Sequence, residues 1–170
     1  MNNRIFETKR LHLEKLSANH FDDFYALLSN ANVHKYFPKT LNRQETEEFF
    51  KTIQNKYRED GTSFWAVIRE EDGKFIGICG ILKQLIDGIE EWEVAYRIMD
   101  SYWGNGYGTE AASGCIRYAE TILKKQSIVS MIRAINMHSI RVAEKNGMVL
   151  EKETIFYGLP HRMYRKRFAK

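Results

Sequence analysis

The sequence predicts an α/β fold, a mixed central sheet of about seven strands with helices packed on both faces. Three observations predict it. Strand-like and helix-like runs follow one another in the order β-α-α-β-β-β-α-β-α-β-β. Short turn signals, Glu71-Asp72-Gly73 and Asp87-Gly88, join successive strands as hairpins. Between residues 92 and 123 a strand runs through a glycine-rich loop directly into a helix.

The elements follow in order. Residues 10–16 alternate Leu11 and Leu13 with polar neighbours and form the first strand. Ser17 caps a helix that carries Asp22 and Asp23 early and Phe21, Phe24, Leu27 and Leu28 at helical spacing. Asn42-Arg43-Gln44-Glu45 is a capping box with Asn in the Ser/Thr place, and Phe49, Phe50, Ile53 and Tyr57 share one face of the helix it opens. Strands are predicted over residues 63–69, 74–85 and 92–99. The next helix carries a stripe of Ala112, Cys115, Ile116, Ala119, Ile122 and Leu123. Residues 127–135 form a strand, 137–146 a short helix ending at Gly147, and 148–156 and 163–168 the last two strands.

Composition narrows the function. The chain has 170 residues, 44% hydrophobic and 28% charged, with 2 Pro and 11 Gly, which excludes a disordered or collagen-like chain. One domain over residues 1–170 is expected, with no apolar run long enough to span a membrane and no signal peptide at the start, so a cytoplasmic protein is expected. The net charge of +4 is concentrated at the end: Arg162, Arg165, Lys166, Arg167 and Lys170 carry it, leaving 21 basic against 22 acidic residues elsewhere. A nucleic-acid binder spreads its basic charge over a face, so no nucleic-acid partner is expected. The loose helix-turn-helix likeness of residues 139–149 is set aside for the same reason and because a strand follows Gly147. Cys79 and Cys115 have apolar neighbours and no ligand at metal spacing, so both are expected to be reduced core residues and no metal is expected.

The glycine-rich loop carries the chemistry. Gly104, Gly106 and Gly108 let the backbone turn tightly and approach a ligand, and the helix after them offers free N–H groups and a positive dipole end. The spacing is neither that of a P-loop, which needs Gly-Lys-Ser/Thr, nor the dinucleotide fingerprint. On spacing alone, a phosphate site and a plain strand-to-helix turn both stand.

The neighbouring residues add a resemblance. Tyr96-Arg97-Ile98 followed by Tyr102-Trp103-Gly104-Asn105-Gly106-Tyr107-Gly108-Thr109-Glu110-Ala111 resembles the acyl-CoA loop of the GCN5-related N-acetyltransferase superfamily, and within it the branch of ribosomal-protein N-terminal acetyltransferases. Trp103, Gly106 and Gly108 occupy the three defined places of the superfamily pattern, with Trp103 in the place of Gln/Arg. Asn136, Ser139, Glu144, Lys145 and Gly147 resemble the family's Asn-x-x-Ser … Glu-Lys-x-Gly segment. The likeness extends over about residues 8–168. It implies a splayed strand pair with acetyl-CoA wedged between, its pantetheine arm paired with the backbone at Ile98 and Met99. It also implies a pyrophosphate held by the loop amides of Asn105, Gly106, Tyr107, Gly108 and Thr109, with Trp103 and Gly104 also counted among the cofactor-binding residues. Asn136 and Ser139 would meet the pantetheine and Lys145 the phosphates; Arg141 and Lys145 read equally as a solvated helix face.

The implied activity is an acetyl-CoA-dependent N-acetyltransferase in which a primary amine attacks the thioester directly. Most amines are protonated at neutral pH, so a base is needed. Glu93 is the candidate, by its place on the cleft strand; alternation puts Glu91, Glu93 and Ala95 on one face, which could instead be the wet face. Ser139 is the candidate donor to the departing sulfur, with Tyr157 and Tyr164 as competitors, while Asn136 and Ser139 could simply cap a helix. Cys115 is not expected to act as a nucleophile. His34, Tyr36 and Phe37 fall where the family shapes its acceptor pocket, and local packing explains them as well. Ala95 stands where the family usually has Gly, which leaves the aim of Glu93 open. The acceptor is a protein N-terminal amine or a small amine such as a polyamine or an antibiotic; a non-catalytic acyl-CoA-binding module is the alternative. By family analogy the protein is a monomer or homodimer.

Overall fold

Period-two alternation sorts the strand residues onto two faces of one sheet. In the segment Phe64–Arg69, Trp65 and Val67 enter one core, while Phe64, Ala66 and Ile68 enter the other. The computed structural model describes residues 3–169. Along it run β1 (Arg4–Glu7), β2 (Leu11–Lys15), α1 (Phe21–Leu28), α2 (Arg43–Asp60), β3 (Phe64–Arg69), β4 (Lys74–Ile86), β5 (Ile89–Ile98), α3 (Tyr107–Thr121), β6 (Ser127–Arg133), α4 (Met137–Lys145), β7 (Val149–Phe156) and β8 (Leu159–Arg167). The strands lie in the order β1-β2-β3-β4-β5-β6-β8-β7. Every neighbouring pair is antiparallel except β5–β6, which is parallel.

Eight strands are present where seven are expected. The addition is β1, whose four residues are too few to show an alternation. Tertiary contacts fix it: Phe6 opposes Leu13 and its ring lies 6.2 Å from that of Trp65 and 5.9 Å from that of Tyr118. Two strand starts also lie earlier than expected, because hairpins hold them in register. Asp87 and Gly88 both take positive φ, 50° and 77°, so β5 begins at Ile89 opposite Ile86. Tyr157 (φ 50°) and Gly158 (φ 74°) do the same before β8.

One core packs α3 and α4 against the sheet, with Ala111, Ala112, Cys115, Ile116 and Ala119 facing Val67, Ile76, Cys79, Ile81 and Val94. Of the expected stripe only Ile122 is exposed, because α3 ends at Thr121, while Leu123 beyond it packs partly buried against this core. The second core packs Leu27, Leu28 and Ile53 of α1 and α2 on the opposite face. The capping box is formed as read: Asn42 Oδ1 accepts the Glu45 N–H at 2.9 Å and Glu45 Oε1 accepts the Asn42 N–H at 3.0 Å. The basic end of the chain lies on β8, where Arg165 meets Glu91 and Glu151, Arg162 meets Glu153 and Arg167 meets Glu151. Lys170 lies outside the described residues. Both cysteines are free and fully buried, their sulfurs 3.5 Å apart. Burial, then Cys79, pushes the Cys115 thiol far up, which leaves it unsuited to nucleophilic attack.

Candidate active site

β5 and β6 register at a single residue pair, Glu93 opposite Val129. On its other edge β5 is paired with β4 over its whole length, from Ile89 to Ile98. The polar groups of β5 beyond Glu93 that face β6 therefore have no ladder to join, and a split opens in the middle of the sheet.

Glu93 sits at the fork. Its Oε2 accepts the backbone N–H of Met131 at 3.1 Å, and its Oε1 accepts Gln84 Nε2 at 3.0 Å. The residue is only 5% exposed. Burial raises its pKa to about 7, against the opposing pull of Gln84, the Met131 N–H and the charge of Arg97. The wet-face alternative fails for both acids, since Glu91 is tied to Arg165 at 2.5 Å with its side chain 14% exposed.

At the C-terminal end of β5 the chain makes one short turn and enters α3. Trp103 Nε1 returns to donate to the Ile98 carbonyl at 2.8 Å, and Asn105 Nδ2 donates to the carbonyls of Tyr102 and Trp103 at 3.0 and 3.2 Å. These bonds hold the loop closed on itself. Gly106 caps α3 with φ 79°, a left-handed conformation that strains any side-chain-bearing residue. The first backbone donor paired within the helix is Glu110, to the Gly106 carbonyl at 3.0 Å. Among the described residues, the N–H groups of Gly104, Asn105, Gly106, Tyr107, Gly108 and Thr109 donate to no protein acceptor. Six unpaired donors thus lie in sequence at the positive end of a fifteen-residue helix.

Two side chains of this segment are engaged away from its unpaired amides. Tyr107 is buried with Arg10 stacked 4.4 Å over its ring, so only its main chain reaches the loop surface. Glu110, an acid in the first turn, is held by Thr8 Oγ1 at 2.5 Å, the Arg10 N–H at 2.8 Å and Arg10 Nε at 2.7 Å. Burial would raise its pKa, but these donors hold it below the ordinary value, and the Arg10 cation offsets its charge beside the nest. An open groove of about 830 Å³ leads from Gly106 and Thr109 past Lys145 and Asn146 to Lys9 and Arg117.

Met99 departs from the expected pairing. Its N–H donates to the Ile76 carbonyl at 2.8 Å and its own carbonyl accepts the Tyr102 N–H at 2.9 Å, so its donor faces β4 and not the split. The Ile98 carbonyl, likewise, already carries the Trp103 indole. Asn136 and Ser139 are brought together on the far side of the split: Asn136 Oδ1 caps α4 by accepting the Ser139 N–H at 3.2 Å. The capping reading therefore holds for Asn136 and leaves the Ser139 hydroxyl available. Tyr157 is 76% exposed on its hairpin and Tyr164 is buried in the core; neither bonds Ser139.

Two residues with no role assigned from the sequence enter the site. Tyr96, on β5, donates its phenol O–H to Ser139 Oγ at 3.2 Å. Arg97 lies on the Glu93 face, 4.1 Å over the Phe37 ring, 5.4 Å over Phe49 and 5.7 Å over Phe64, and Nη1 donates to His34 Nε2 at 3.3 Å. His34 Nδ1 donates in turn to the Lys39 carbonyl at 2.9 Å, which fixes a neutral imidazole. Burial lowers the Arg97 pKa to about 10 while leaving it charged at neutral pH. The sequence signals for these residues were their place at the head of the loop motif, which assigned neither a role, and the strand alternation, which puts Arg97 with Glu93 and Tyr96 with Val94. Among the described residues no cluster of His, Cys, Asp or Glu could hold a metal ion, and no helix is long and apolar enough to cross a membrane.

Known proteins share this fold. The family model described as the acetyltransferase (GNAT) domain matches residues 10–149. An uncharacterised Bacillus subtilis protein, YkkB, is 31% identical over 144 residues, which is 85% of this chain and 84% of that protein. The structure of a GnaT-family acetyltransferase from Bordetella pertussis superposes with a TM-score of 0.82 at 20% identity, covering 95% of this chain and 98% of that one. RimL, a ribosomal α-N-protein acetyltransferase, superposes with a TM-score of 0.82 in its free form, covering 97% and 94% of the two chains, and 0.78 in complex with coenzyme A, covering 96% and 97%, at 14% identity. With its family domain matched over most of its length and its fold shared from end to end, the chain belongs to the GNAT family of N-acetyltransferases.

Proposed function

We propose that this enzyme acetylates the α-amino group of a peptide or protein, using acetyl-CoA bound in the split between β5 and β6. The observation that carries the cofactor assignment is the run of unpaired amides at Gly104–Thr109 next to a strand pair joined at one position. A diphosphate suits that nest, and an amide-bearing arm suits the open edge of β5, as an added strand would. Lys145, Lys9 and Arg117, which line the adjoining groove together with Glu7 and Glu110, supply cations for the remaining phosphate. RimL, of the same fold, is known in complex with coenzyme A.

Acetyl-CoA, when bound, supplies the activated acetyl group. The protein's own residues supply the rest. Glu93 accepts the proton that the attacking amine must lose, directly or through water. Ser139 donates a hydrogen bond to the sulfur as it takes up negative charge. Arg97, His34 and the Phe37 ring wall the cleft on the Glu93 side and keep it dry.

Proton affinities support an α-amine as the acceptor. An ammonium with a pKa of about 8, as on a chain terminus, loses its proton to a carboxylate at about 7 with a penalty near one unit. A lysine- or polyamine-like ammonium at about 10.4 faces more than three units, or roughly 4–5 kcal/mol. RimL acts on an α-amine of a ribosomal protein, in line with this preference. The test is thiol release from acetyl-CoA against short peptides with free α-amines, the same peptides blocked at the terminus but carrying lysine, and polyamines. The account expects transfer to the free-terminus peptides. Coenzyme A binding with no transfer to any amine would indicate an acyl-CoA-binding module instead.

A further inference from the structure

We infer that Tyr96 is a positioning residue for the leaving sulfur: its phenol holds the Ser139 hydroxyl with its proton turned into the split. The inference rests on the proposed role of Ser139 and extends it to a second side chain. Tyr96 projects from β5 on the face opposite Glu93, with the partly buried side chains that pack against α3 and α4. Its ring lies under the loop so closely that a Cβ on Gly108 would stand 3.1 Å from Cε2. From there the O–H crosses the split to Ser139 Oγ at 3.2 Å, its one hydrogen bond among the described residues.

The geometry constrains the serine. A hydroxyl has one proton to give and two lone pairs. With one lone pair occupied by Tyr96, the Ser139 proton points away from the phenol. The Ser139 N–H is already engaged by Asn136, so neither side of the residue is free to swing. A donor that itself accepts a hydrogen bond is polarised and donates more strongly. Burial raises the Tyr96 pKa to about 12, against the opposing pull of the Ser139 hydrogen bond, so the phenol keeps a proton to donate throughout the neutral range. Tyr96 thereby does two things through Ser139: it aims the proton and it strengthens the bond made to developing thiolate. The same ring supports Gly108 from below, tying the aim of Ser139 to the position of the amide nest.

The test reads the sulfur itself and needs no acceptor. Coenzyme A is bound to the intact protein and the ultraviolet absorbance of its thiolate is followed against pH, as a difference from unliganded protein. A free thiol titrates near 8.5, and a well-aimed donor lowers that value. Bound to the native protein, the thiol is expected to titrate below the free value. Tyr96→Phe, which keeps the ring, should raise it by about 0.5–1 unit, a three- to tenfold fall in the thiolate-to-thiol ratio, with coenzyme A affinity changed by less than about threefold. A fluorinated tyrosine at position 96, a stronger donor, should shift it the other way. Ser139→Ala should raise it at least as far as Tyr96→Phe. If Ser139→Ala shifts the thiol and neither change at Tyr96 does, the Tyr96 inference is overturned and the Ser139 role stands. If no substitution shifts it, or if coenzyme A does not bind, the proposed role of Ser139 falls and the inference with it.

Discussion

The carboxylate of Glu93 takes the place of a missing strand partner for Met131, accepting its backbone N–H at 3.1 Å where β5 and β6 part. The same atoms that close the end of the split thus place an acid inside it. A buried carboxylate that caps a strand and has a pKa near 7 is half-ionised at the pH where an amine must lose its proton.

Removing that acid should change the pH profile as well as the rate. In the native enzyme kcat/KM should rise with pH through about 7 as Glu93 ionises. Glu93→Gln retains a hydrogen-bonding group at the fork but accepts no proton. A loss of about 100-fold or more is expected, with the limb near pH 7 gone. A Gln variant with the native limb would move the base elsewhere.

The same group should make stability depend on pH. Glu93 titrates at its ordinary value of about 4.5 when unfolded and at about 7 when folded, so the folded state holds the extra proton between the two. Stability from this group is full below about pH 4.5 and is lost as pH rises through 7, by roughly 3 kcal/mol. Urea midpoints of Glu93→Gln should therefore gain on the native protein between about pH 5 and about pH 8. Parallel curves for the two proteins would contradict the buried assignment.

The loop glycines should separate binding from folding. Gly106→Ala places a Cβ at φ 79° with its nearest neighbour 3.5 Å away, so the expected penalty is conformational, about 1–2 kcal/mol. Gly108→Val drives a branched side chain into the Tyr96 ring. It should displace both nest and phenol and weaken coenzyme A binding more than about tenfold, measured by calorimetry. Native affinity in Gly108→Val would detach the nest from the cofactor.

The N-cap of α2 provides a control remote from the split. Asn42→Ala removes the side-chain acceptor of the Glu45 N–H, while the backbone N–H of residue 42 still meets Glu45, and should lower stability by about 1 kcal/mol. Acetyl transfer should be unchanged at a temperature where the variant is folded.

What could be read in advance divides along physical lines. Elements fixed by local periodicity were legible: the capping box at Asn42 and Glu45, the two-faced strand Phe64–Arg69 and the hairpin at Asp87-Gly88 all follow from neighbours in the chain. Strand β1 was not, because it depends on Phe6 reaching Trp65 and Tyr118. The loop amides at Gly104–Thr109 were legible because glycine at a strand-to-helix junction acts through its own backbone. The role of Tyr96 was not, since its partner lies 43 residues away on α4. Met99 was misplaced for a related reason: which edge of β5 a given N–H faces is set by the β4 register, which no single-strand pattern encodes.

The most direct measurement is the backbone amide NMR spectrum of the protein titrated with coenzyme A. The largest shifts are expected at the N–H groups of Gly104, Asn105, Gly106, Tyr107, Gly108 and Thr109, with a second set along β5 beyond Glu93 and at Ser139. Saturable shifts centred elsewhere, with the loop amides unmoved, would contradict the cofactor assignment.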